Sequence, residues 1–271
     1  MATADTPAAA PAPTPAARGS FFRLPRREFF VGGLAGLLVG KGSDWVQPIE
    51  WTQKALPDGT KLSFAQNGED LVADSLFAGL GVTKPSYLDI GAYDPILSNN
   101  TYRMYRQGGR GVLVEPNVGL TDRLKGKRPG DVVLQAGIGF DDTPAADYYV
   151  FHAPQLNTFD KEQADKLVAT GEVKLIEVVK MPLLNINQVI ADHLGGAAPD
   201  FLSIDVEGLD LPILKTLDFA RYRPKVVCAE TLPAGAPVHN PELLALLAAN
   251  GYVVRGMTFA NTLFVDSKQT G

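Results

Sequence analysis

The chain has 271 residues, 45% of them hydrophobic, which suits one sizeable core plus a tail. Its net charge of −5 is uneven: residues 1–43 carry +3, which leaves −8 for the remainder. So acidic a body argues against nucleic acid as the main partner, because phosphate contacts supply most of that affinity. A single cysteine, Cys228, rules out an internal disulfide and a cysteine-based metal site.

Residues 1–17 hold eight Ala and four Pro without apolar periodicity and read as disordered. Arg23-Leu24-Pro25-Arg26-Arg27-Glu28-Phe29-Phe30 then leads into an uncharged run from Phe29 to Gly40. That run is far shorter than the roughly 20 residues that span a bilayer. The pattern resembles a twin-arginine export signal, although no small-x-small cleavage site follows and Lys41 interrupts it. A weak membrane contact through 29–40, or a plain tail, are the other readings. The expected organisation is a tail at 1–43, a connector at 44–62 with two Trp and two Pro, and one domain at 63–271.

In that domain Leu71, Val72, Ser75 and Leu76 share a helical face, which predicts a helix over about 66–80. Tyr87-Leu88-Asp89-Ile90-Gly91-Ala92-Tyr93-Asp94 is a short apolar run ending in an acid and a glycine. Gly111-Val112-Leu113-Val114-Glu115-Pro116-Asn117 is a second, and 99–109 between them has the length of a crossover helix. This is a βαβ unit with ligand groups at the carboxyl ends of its strands. Glu115 follows Gly91 by roughly 24 residues, close to the spacing at which an acid meets a ribose diol. No second or third glycine follows Gly91, so a pyrophosphate is poorly served, and Asp89 and Asp94 flank the turn. An acidic turn suits a positively charged nucleoside without phosphate, which is what S-adenosylmethionine is. An ordinary strand–turn–helix is the plain alternative.

Further on, a helix fits 119–125, a strand 132–139, strands 148–151 and 173–184 around a helix at 160–169, and a helix 185–194. Asp200-Phe201-Leu202-Ser203-Ile204-Asp205-Val206-Glu207-Gly208 is a strand with acids at its carboxyl end, followed by a helix over 211–219. Residues 224–230 form a strand ending at Glu230, and 241–250 a helix opened by Pro241 and closed by Asn250-Gly251. Residues 252–259 and 261–265 are joined by so short a turn that they pair antiparallel.

From about Ser63 to Val265 the chain resembles the FkbM-type S-adenosylmethionine-dependent methyltransferases. The marks are Gln66-Asn67-Gly68-Glu69-Asp70, Tyr87 to Ala92, Val114-Glu115-Pro116-Asn117, Ile204-Asp205-Val206-Glu207-Gly208 and Asn261-Thr262-Leu263-Phe264-Val265. The family's usual Leu-Asp stands here as Leu184-Asn185. The resemblance implies an α/β, Rossmann-like seven-stranded sheet with an antiparallel last strand and helices on both faces. It also implies methyl transfer, usually to hydroxyl oxygen of sugars or secondary metabolites, so the expected partner is a small-molecule or glycan acceptor. A methyl-donor enzyme has its cofactor supply in the cytoplasm, which sets the expected compartment, with export as the alternative.

The expected cofactor-binding residues are Gln66, Asp89, Gly91, Ala92, Glu115, Asn117, Ile138 and Asp205. Asp89 and Gly91 take the methionine end, Glu115 the ribose hydroxyls, and Ala136 to Ile138 the adenine. Asp205 faces the cofactor's cation. Glu207, with Glu230 beside it, is expected to face the acceptor as base or orienter, which makes Glu207, Asp205 and Glu230 the catalytic candidates. Plainer roles are a solvated loop acid for Glu115 and a helix cap for Glu207. These three acids could also hold Mg²⁺ through oxygen, although no metal is assigned, and His239 is a further possible base. Two other classes stay open. One is a dinucleotide-dependent oxidoreductase, weakened by the missing glycines. The other is a methyltransferase-like module that binds a nucleoside cofactor without catalysis.

Overall fold

The structure is a computed structural model that describes residues 57–206, 208–232 and 236–269. The expected tail and most of the connector, and the acid Glu207, lie outside the described residues.

A seven-stranded sheet carries the domain, in the order β3 (Val132–Leu134), β2 (Gly111–Val114), β1 (Tyr87–Ile90), β7 (Phe201–Ile204), β8 (Val226–Glu230), β10 (Asn261–Asp266) and β9 (Tyr252–Met257). The strands from β3 to β8 pair in parallel. β10 runs antiparallel to both neighbours, as the short turn before it requires. Every residue of β1, β2 and β7 is buried, the near-continuous apolar reading expected of parallel strands covered on both faces.

The strand alternation divides the core in two. On one face Leu88, Ile90, Val112, Val114, Leu202 and Ile204 pack against α5 (Ile186–His193), α6 (Asp210–Thr216) and α7 (Pro241–Ala249). On the other, Tyr87, Leu113, Phe201, Val226 and Leu263 pack against α1 (Glu69–Gly79), α2 (Tyr102–Arg106) and α3 (Val118–Lys127). Local chemistry sets the helix starts. Asn117, Asn185 and Asn240 each accept backbone N–H bonds at an N-cap, and Pro241 occupies the first turn of α7.

The run read as one strand over 132–139 is two. β3 stays in the large sheet, whereas β4 (Gly137–Gly139) leaves it and pairs with β6 (Leu175–Asn185). β6 also pairs antiparallel with β5 (Ala145–Phe151), giving a second, three-stranded sheet with α4 (Lys161–Ala169) in its connection. Gly137 permits the departure: a Cβ there would stand 2.6 Å from the Phe159 ring, which packs directly on the backbone. The marks at 66–70 and 261–265 serve as a brace. Glu69, fully buried, accepts from the Asn67 N–H (2.8 Å), the Thr258 hydroxyl (2.6 Å) and the Asn261 amide (3.1 Å), fixing α1 to the final hairpin. Among the described residues no helix is long and apolar enough to cross a membrane.

Candidate functional site

From β1 the chain moves outward through β2 to β3, and from β7 outward the other way through β8. The crevice of such a sheet opens beyond the carboxyl ends of the strands where the order reverses, here β1 and β7. The loops there are tied together. Gly91 and Ala92 both donate to the Val114 carbonyl (3.0 and 3.2 Å), Glu115 donates to Leu134 (3.0 Å), and Asp205 donates to Ile90 (3.1 Å). Gly91 has φ +80°, and a Cβ on it would overlap the Asp205 carbonyl oxygen. Only glycine allows the two strand ends this approach.

These ends border an open-sided cleft. Its floor is apolar, from Ile90, Val114, Ala136, Ile138 and Ile213. Glu115 and Asp205 are the charged side chains among its described lining residues, and no Lys or Arg is among them. Glu115 is 4% exposed. One carboxylate oxygen accepts from the Tyr93 N–H (2.9 Å) and the other from the Asn117 N–H (2.8 Å). Two backbone donors thus fix the carboxylate plane at the cleft wall. Tyr93 adopts φ 54°, a costly conformation for a residue with a Cβ, at the point where its N–H meets Glu115.

Of the residues expected from sequence, Gly91, Glu115, Ile138 and Asp205 meet at this cleft, with Ala136. Others do not line it. Asp89 projects from the opposite face of β1, where it accepts from the Thr101 hydroxyl (2.7 Å), and burial pushes its carboxyl above the usual carboxylate range. Asp94 accepts from the N–H groups of Ile96 and Leu97 and pairs with Arg123 at 2.6 Å. The two acids that flank the Gly91 turn in sequence therefore leave the cleft wall, one by strand alternation and one by pairing. Ala92 is buried away from the cleft, and its carbonyl accepts from Asn99. Gln66 is exposed ahead of α1. Asn117 uses its side chain as the cap of α3 and its N–H on Glu115.

Glu230 ends β8 beside Asp205, since Ile204 and Ala229 are register partners. His239 is not a lining residue. Its Nδ1 lies 2.6 Å from the Thr231 hydroxyl, itself 2.7 Å from the Thr262 hydroxyl. Among the described residues no cluster of three His, Cys, Asp or Glu side chains is placed to hold a metal. Cys228 is fully buried, and burial followed by the nearby carboxylates pushes its thiol well up, so it packs as a small hydrophobe.

Two features had no local signal. One is the wall contributed by Tyr148 and the segment 154–159, which arrives from the second sheet. The other is Arg128, fully buried behind the Gly91 turn. It donates to Asp131 (2.8 Å), Asn99 (3.0 Å), Thr101 (3.0 Å) and the Tyr87 hydroxyl (2.9 Å). Thr101 passes that network on to Asp89. In the sequence Arg128-Pro129-Gly130 looks like a plain turn.

Residues 89–254, more than half of the chain, match the model of the methyltransferase FkbM domain. The chain belongs to the FkbM methyltransferase family. No curated protein matches it. Among solved structures it is similar to a TehB-like SAM-dependent methyltransferase from Corynebacterium glutamicum, at 10% identity over 82% of this chain and 96% of that one, with a TM-score of 0.40. It is also similar to an O-methyltransferase from Bacillus cereus in complex with SAH, at 13% identity over 84% and 93%, TM-score 0.39. A third is the 1,6-didemethyltoxoflavin-N1-methyltransferase from Burkholderia thailandensis, at 13% identity over 83% and 86%, TM-score 0.39.

Proposed function

We propose that this FkbM-family protein transfers the methyl group of S-adenosylmethionine to a hydroxyl oxygen of a small-molecule or sugar acceptor. The observation that carries the reading is the charge of the cleft: Glu115 and Asp205 line it, and no described Lys or Arg does. Such a wall repels phosphates and suits a ligand with a diol and a positive charge. When bound, S-adenosylmethionine supplies a methyl group already activated by a cationic sulfur.

The protein's own contribution is alignment, which can supply roughly 7–11 kcal/mol of a displacement barrier. Glu115, its carboxylate aimed by two backbone N–H groups, takes the ribose hydroxyls. Asp205 sets negative charge beside the methionine end. The apolar floor at Ala136 and Ile138 takes the base and excludes water. The acceptor approaches over the ends of β7 and β8, and its hydroxyl proton passes to one of the carboxylates of Asp205, Glu207 and Glu230. A positioned base of this kind contributes about 100- to 10,000-fold.

The test uses the full chain, S-adenosylmethionine with an isotopically labelled methyl, and a panel of sugar and secondary-metabolite alcohols matched with amines. The reading expects label in an ether C–O–CH₃ of an alcohol, with Glu207→Gln abolishing turnover while S-adenosylhomocysteine still binds. Label on nitrogen alone overturns the oxygen assignment. Cofactor binding with no transfer across the panel would favour a non-catalytic module.

A further inference from the structure

We propose that the segment between β5 and α4 reads the base of the bound nucleoside, and that Asn157 holds its purine ring by donating from Nδ2 to a ring nitrogen. The inference rests on the cofactor reading above and assigns a residue to base recognition within it.

Three observations support it. First, Asn157 lines the cleft together with Pro154, Gln155, Thr158 and Phe159, and the Phe159 ring packs on Gly137, between Ala136 and Ile138. Second, the orientation of its amide is fixed. Oδ1 accepts from the Phe151 N–H at 2.8 Å, and an N–H can only donate, so the other end must be the NH₂ group. That Nδ2 is buried and has no hydrogen-bond partner among the described residues. A buried donor left unmade costs free energy and calls for an explanation. Third, the segment is tied to its neighbours. Thr158 exchanges two backbone hydrogen bonds with Tyr149 (2.9 and 3.2 Å), Asp160 caps α4, and the Phe159 ring lies 4.7 Å from Tyr148 and packs on Gly137.

A donor-only group needs an acceptor. The ring nitrogens N1, N3 and N7 of adenine are acceptors beside an aromatic face, and the Phe159 ring offers an apolar partner for that face. A base carrying N1–H meets Asn157 donor against donor if N1 is the contact.

The experiment is calorimetric titration of the full chain with S-adenosylhomocysteine and its 1-deaza, 3-deaza and 7-deaza adenine analogues. It is repeated with Asn157→Asp, which keeps an acceptor for the Phe151 N–H and removes the donor, and with Asn157→Ala. The wild type is expected to bind one of the three analogues about 3- to 10-fold more weakly than the parent. Both variants should bind the parent weakly, by a similar factor, and show no further penalty for that analogue. The inference is overturned if the wild type binds all three analogues as it binds the parent, or if the penalty for one of them persists in the variants. Failure of the wild type to bind S-adenosylhomocysteine at all overturns the cofactor reading and this inference together. Binding with no analogue penalty overturns this inference alone.

Discussion

Asp89 lies in β1 and Glu115 directly follows the neighbouring parallel strand β2, and each is 4% exposed. Their surroundings differ in kind. Glu115 stands just past the end of β2 with a backbone N–H on each oxygen, facing a cleft. Asp89 stands inside β1 on the far face, bonded to a threonine hydroxyl and backed by the buried Arg128 network, with burial favouring its neutral form. Being a buried acid does not make a ligand group. Backbone donors orient the Glu115 carboxylate at an open wall, whereas the back face treats Asp89 as part of its filling.

The largest expected effect breaks the back face. Arg128→Met removes the cation that Asp131, Asn99, Thr101 and the Tyr87 hydroxyl share, leaving buried acceptors without it. Urea unfolding should show a loss of about 3–5 kcal/mol, the cost of breaking a buried pair from one side. Gly91→Ala attacks the front, where a Cβ meets both a positive φ and the Asp205 carbonyl. It should cost about 1–3 kcal/mol by the same assay and abolish cofactor binding, because the ends of β1 and β7 must part. Asn117→Ala removes the cap of α3 and should cost about 1 kcal/mol. It leaves the Asn117 N–H on Glu115, so cofactor affinity should hardly move.

The subtlest expectation concerns Asp89→Asn. A carboxyl raised in the folded state binds its proton there when the unfolded chain has already released it. Stability therefore falls as pH rises from the ordinary carboxylate range through the raised value. The Asn variant lacks that loss and can still accept from Thr101. Urea midpoints followed against pH should show the variant gaining on the wild type as pH rises and matching it in acid. A variant that is less stable at neutral pH would mean the charge on Asp89 is needed by Arg128.

Much of this was legible because its signals are local. The Gly91 turn, the acid after β2, the Pro241 start of α7 and the short turn into β10 are written in adjacent residues, and the structure has each. What stayed hidden depends on partners far along the chain. In Tyr87–Ile90 every position is buried, so no alternation tells which face Asp89 takes, and the acidity around Gly91 in sequence proved to lie off the cleft wall. The run 132–139 looks continuous because the partners that Gly137–Gly139 takes on leaving the large sheet, Leu183 to Asn185, come much later in the chain. Asn157 and Arg128 act through burial, which residue type alone does not announce.

In the proposed function Glu115, set by two backbone N–H groups, holds the ribose of a positively charged nucleoside. Calorimetric titration of the full chain with S-adenosylhomocysteine and NAD, for the wild type and Glu115→Gln, tests it most directly. The wild type is expected to bind S-adenosylhomocysteine and not NAD, and the variant to bind about 10- to 100-fold more weakly, the worth of hydrogen bonds to a charged acceptor. Equal affinity in the two proteins, or binding of NAD instead, would contradict it.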